Sequence, residues 1–150
     1  MALQFKWTSK LMGRDQGKSR FIATMLLVAL LAACFGMAQA ALHREAQVSI
    51  YSPSGRFILQ NVLLAPWLGS WCDLAYIRVI DTQAPDSTFR TPLYDKHYTD
   101  MRSHEDDRTV GIIWFDFDKR QQTFEIGVPE WQDSWLNLFI SNTPYRIIEN

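Results

Sequence analysis

From residue 48 onward, apolar positions recur with a period close to two, the signature of half-buried strands. Val48 and Ile50 precede Ser52-Pro53-Ser54-Gly55, and an apolar run over 57–64 follows it. Proline suits the second position of a turn and glycine the positive φ that closes it, so the segment predicts a hairpin. Phe57, Leu59 and Leu63 share one face with Asn61; Ile58, Val62 and Leu64 share the other with Gln60. That arrangement predicts a strand covered on both sides for part of its length. Residues 66–73 read as a bend carrying Trp67 and Trp71, and 74–80 as a strand with Ile77 and Val79 inward and Arg78 outward.

Farther along, 82–88 is polar and predicts a connection, and 89–94 a short strand that Pro92 confines to an edge or a bulge. Residues 96–108 have no apolar stripe and predict a loop or a short surface helix. Residues 110–117 read as one strand, with Ile113, Phe115 and Phe117 alternating against Ile112, Trp114 and Asp116. A turn over 118–122 leads to a second strand over 123–128, whose Phe124, Ile126 and Val128 face the core. Residues 129–134 break the ladder. For 135–140 two periods compete, and the alternation of Trp135, Asn137 and Phe139 favours a strand over the helical spacing of Trp131, Trp135 and Leu138. Pro144 and the last six residues read as a short extension. Six or seven short strands predict a mainly β fold, a small antiparallel sandwich or open barrel behind an apolar N-terminal helix.

The first 40 residues follow another rule. Five basic residues oppose Asp15 alone, a net of +4, and no charge appears from Phe21 to Ala41. A basic stretch over 1–20, an apolar one over 21–37 and the A-x-A site at 38–40 have the order of a secretory signal. Residues 41–47 then read as a tether and 48–150 as a single domain. Cleavage after Ala40 is the leading expectation, with two alternatives. Leu31-Ala32-Ala33-Cys34 has the form of a lipidation site at Cys34, and 21 uncharged residues also suffice for an uncleaved anchor. Each version places the C-terminal part across the membrane from its basic flank, so the expected location is periplasmic, free or membrane-anchored.

Export changes what composition means. The whole chain of 150 residues has a net charge of -1, but residues 41–150 carry ten Lys and Arg against fifteen Asp and Glu, a net of -5. Such a domain lacks the basic surplus of a nucleic-acid binder. Its lone Cys72 permits no internal disulfide, so about 110 residues must close a core by packing alone.

Candidate chemistry is sparse. His97, Asp100 and His104 would share a face of a helix and hold zinc with water in the fourth position; without an apolar second shell they read rather as a solvated acidic loop, and no metal site is assigned. Asp116 and Asp118 project to one side of a strand, as an acid/base pair would and as the wet face of a hairpin also does. No serine lies in G-x-S-x-G, and neither a P-loop nor a dinucleotide-binding glycine pattern occurs. The expectation is a protein that is not an enzyme and needs no cofactor. Trp67, Trp71, Trp131 and Trp135 fall in or beside loops, where they would either cap the core or anchor a protein partner. Acidic surroundings favour a basic partner.

The segment Tyr51-Ser52-Pro53-Ser54-Gly55-Arg56-Phe57 is similar to the hairpin that opens certain small exported bacterial proteins. They continue with strands like Tyr76-Ile77-Arg78-Val79-Ile80-Asp81 and Ile112-Ile113-Trp114, and close with one like Phe139-Ile140-Ser141-Asn142-Thr143-Pro144. These proteins resemble the periplasmic immunity proteins of type VI secretion toxin–immunity pairs. The resemblance implies a protein that neutralises a secreted antibacterial toxin, and it carries over no site residue. The alternative expectation is an envelope protein or lipoprotein that binds a small ligand or cell-wall fragment between its sheets, in a pocket lined by Trp114 or Trp71. A metal-dependent hydrolase around His97 and His104 comes third.

Overall fold

In the computed structural model, residues 8–64 and 73–148 are described, and they separate into two compact units between Gln39 and Ala40. The first unit holds most of helix α1 (Thr8–Leu42). Its stretch from Gly17 to Leu42 is apolar and 26 residues long, about 39 Å at the helical rise, enough to cross a bilayer. Cys34 is exposed on it.

The second unit is a β-sandwich with ten strands among the described residues, more than the six or seven expected. Strands β1 (Val48–Tyr51), β2 (Phe57–Leu63), β3 (Leu74–Asp81), β4 (Ala84–Arg90) and β5 (Tyr94–Asp95) form one sheet, in which β4 and β5 successively pair with β3. Strands β6 (Ser103–Glu105), β7 (Thr109–Ile112), β8 (Phe115–Asp118), β9 (Thr123–Ile126) and β10 (Tyr145–Ile147) form the other, in the order β10-β9-β8-β7-β6. The opening hairpin is as read: Ser52 O accepts from Gly55 N at 2.8 Å, and Gly55 has φ +74°. Phe57, Leu59, Ile77, Val79 and Tyr94 from the first sheet meet Ile112, Phe115, Phe117, Phe124 and Ile126 from the second. The ring centroids of Tyr94 and Phe115 lie 4.5 Å apart, and those of Phe89 and Phe117 4.6 Å. Burial of the Tyr94 phenol pushes its pKa up to about 12, and its hydroxyl donates to Asn61 Oδ1.

Several boundaries depart from expectation for identifiable reasons. Residues 110–117 are two strands, because Ile113 and Trp114 turn the chain so that Ile112 pairs with Phe115. The polar run 84–88 belongs to β4, where Pro85 and Asp86 are tolerated because the strand is an exposed edge. Residues 103–105 form an edge strand despite their polarity. Residues 137–140 form a helix, not a strand, and the C-terminal extension is β10, parallel to β9. A parallel neighbour requires a crossover, and the segment through the helix supplies it.

Polar side chains close the sandwich along both sides. Asn142 and Ser141 bond the backbone of β4 at Arg90 and Thr88, in place of a neighbouring strand. On the other side Glu105, at the end of β6, accepts from the Ser54 backbone N–H at 2.9 Å and from Lys119 at 3.3 Å. Burial alone would raise the Glu105 pKa, yet the bonds from Ser54, Ser52 and Lys119 hold it down to about 2. Asp118, only 2% exposed, accepts from the backbone of Gln121 and Arg120 and from Arg108 at 2.7 Å, and it too is held at about 2. Both carboxyls are depressed in the folded state, so their stabilisation is full above their ordinary pKa values and is lost as pH falls through the folded ones. Urea midpoints are expected to be insensitive to these groups above about pH 5 and to drop steadily between about pH 4 and 2. Glu105→Gln should lower the midpoint at neutral pH and flatten that drop.

A second apolar cluster covers the outer face of the first sheet. Val62, Tyr76 and Leu93 are buried there with Ala41 and Ile140, flanked by Leu42, Ala46, Leu64, Leu74 and Leu136. Asn61 and Val62 are buried on opposite faces of β2, the double coverage its sequence predicts. Residues 41–47, expected to be a tether, contact this domain through Ala41, Leu42, Ala46 and Gln47. Ala41 is 9% exposed, and Gln47 N donates to Asn61 O at 2.8 Å.

Candidate protein-binding site

Residues 135–140, Trp-Leu-Asn-Leu-Phe-Ile, are apolar at every position but one. A short helix, α2 (Asn137–Ile140), divides them between two faces. Leu136 and Ile140 turn toward the outer face of the first sheet, with Ile140 buried in the second cluster. Trp135, Leu138 and Phe139 are left outside, 73%, 84% and 50% exposed. Large apolar side chains are most often enclosed, whereas these three meet water.

This exposed ledge is held from beneath. Asn137, buried, accepts from Leu93 N at 2.8 Å through Oδ1 and donates through Nδ2 to Asp133. Asp133 also accepts from Ser134 N and the Tyr145 hydroxyl. At the helix end, Arg90 Nε donates to Ile140 O at 2.8 Å, which ties α2 to β4. The rings of Trp135 and Phe139 meet edge to face, 6.2 Å apart and 88° between planes, a favoured aromatic geometry. Beside them lies an open hollow of ≈ 430 Å³ bordered by Asp133, Trp135, Asn137, Leu138 and Tyr145. Asn137→Ala removes the acceptor of a buried backbone donor and is expected to destabilise the domain by about 1–3 kcal/mol, read in urea unfolding.

The other sequence candidates divide. Trp131 is half-buried against the core, 6.3 Å from the ring of Tyr145, which borders the hollow. Trp67 and Trp71 lie outside the described residues, as does Cys72. His97, Asp100 and His104 do not share a helical face: His97 sits in a single 3₁₀ turn and bonds Asp95 at 2.6 Å, Asp100 is paired with Arg102, and His104 lies on β6. Among the described residues no three His, Cys, Asp or Glu side chains are placed to hold a metal ion. Asp116 and Asp118 do not act as a pair either: Asp118 is committed to Arg108, whereas Asp116 bonds His104. That last contact spans β7 at Gly111, which pairs with His104 on one side and Asp116 on the other.

No family model, curated protein or solved structure matches the chain. The site thus rests on its own geometry. Leu138, Phe139 and Tyr145 were not visible as site residues, because a strand over 135–140 would turn Leu138 inward with Leu136. The helical spacing of Trp131, Trp135 and Leu138 is the signal that points to Leu138; nothing comparable marks Phe139 or Tyr145.

Proposed function

We propose that the chain is an envelope protein whose β-sandwich binds another protein through Trp135, Leu138 and Phe139, without catalysis of its own. In the narrower reading its partner is a secreted antibacterial toxin, and the chain is a periplasmic immunity protein that occludes it. The observation that carries the proposal is the ledge: three large apolar side chains stand in solvent on an element fixed by buried hydrogen bonds. Exposed aromatic anchors that are already ordered lose little entropy on binding. The apolar helix ahead of the domain suits export or anchoring, and a net charge of -5 over 41–150 suits a basic partner. Trp114, in the β7–β8 turn, packs against the core beside aromatic rings from both sheets.

A deletion strain exposed to toxin-secreting sibling cells tests the proposal. Survival restored by the wild-type chain but not by a Trp135→Ala/Leu138→Asp chain made in equal amount is the expected result. Unchanged survival on deletion, or full protection by the variant, would overturn it.

A further inference from the structure

Helix α1 ends at Leu42, and its last carbonyls lack partners within the helix. Two side chains of β3, spaced i and i+2 on its outer face, supply them. Tyr76 Oη donates to Ala41 O at 3.1 Å. Arg78 Nη2 donates to Leu42 O at 2.8 Å, to Arg44 O at 3.1 Å and to Tyr76 Oη at 2.9 Å. Arg78 is itself oriented by Gln60 Oε1, at 3.2 Å from Nη1. Below this network the Ala41 side chain is enclosed in the apolar cluster that contains Val62, Leu93 and Ile140.

We infer that residues 41–44 are an intramolecular latch, seated on β3 by Tyr76 and Arg78, whose closure shuts the bond between Ala40 and Ala41 away from processing. That bond is the one the A-x-A sequence offers to a signal peptidase. Processing is hydrolysis: water adds across the amide, leaving a carboxyl on Ala40 and an amine on Ala41. Proteases bind the scissile segment extended, in the manner of an added strand. Here residues 38–42 are helical, and the residue that follows the bond is buried with its carbonyl bonded. Cleavage after folding therefore requires the latch to open and the helix end to unwind. A chain processed before its domain folds is released, and one that folds first keeps its apolar helix as an anchor. The latch makes the order of folding and cleavage decide between the two locations.

The test uses the purified full-length chain in detergent micelles, incubated with a purified signal peptidase, with the appearance of an Ala41 N-terminus followed by mass spectrometry. Cleavage goes through the opened state, so Tyr76→Phe and Arg78→Gln are each expected to raise its rate by about tenfold over wild type. Asp86→Ala, on the exposed edge strand, should match wild type. Near-UV circular dichroism reports whether each variant is folded; if Arg78→Gln is not, Tyr76→Phe decides, since it removes a single oxygen. Equal rates for wild type and Tyr76→Phe, or no cleavage of any chain, would overturn the inference.

Discussion

Replacing Gly111 by alanine is expected to cost the sandwich about 3 kcal/mol and roughly 10 °C in melting temperature. Gly111 lies inside β7, a strand with neighbours on both sides. A Cβ there would stand 2.0 Å from the Phe115 carbonyl oxygen and 2.9 Å from Asp116 Oδ1. The carboxylate can rotate away, but the carbonyl is backbone and moves only if the β7–β8 pairing moves with it. The same absence of a side chain lets His104 reach Asp116 across β7. The two effects separate by mutation. His104→Ala breaks a side-chain hydrogen bond in which both partners are partly exposed and should cost under about 1 kcal/mol. A His104→Ala loss equal to that of Gly111→Ala in urea unfolding would assign the role to the His104–Asp116 contact instead.

The second large effect concerns binding alone. Trp135→Ala combined with Leu138→Asp is expected to weaken binding to the proposed toxin partner by about 100-fold or more. The tryptophan removes the largest anchor, and the aspartate must be desolvated at the centre of the contact. Both side chains face solvent in the free protein, so stability should change by less than about 0.5 kcal/mol. The pairing of these two results matters. A loss of affinity accompanied by a comparable loss of stability would point to damage of the outer cluster through Leu136 and Ile140, not to the ledge.

How much of this was legible along the chain depended on whether local pattern or distant packing decided each element. Strands β2, β3 and β9 announce themselves by alternation, and the first hairpin by Pro53 and Gly55. The β7–β8 turn has no such marker: Ile113 and Trp114 carry neither glycine nor a short polar side chain, so the run looked continuous. Strands β4 and β6 are polar because they are edges, and polarity reads as loop. Over 135–140 apolar side chains lie on two sides for different reasons, one side packing on the first sheet and the other meeting solvent, so neither period stands out. The candidate site was legible in Trp131 and Trp135, and obscured in Leu138 and Phe139. Gly111 gave no sign, since the close approach that demands it comes from a neighbouring strand. The latch was likewise hidden, because residues 41–47 look polar and short until Tyr76 and Arg78 are brought beside them.

A photo-crosslinking amino acid at Leu138 tests the central claim most directly. Cells carrying it, challenged by toxin-secreting siblings and illuminated, should yield one adduct containing the toxin, while the same probe at Ser87 on the exposed edge strand β4 should yield none. No adduct at Leu138, or equal adducts at both positions, would contradict the account.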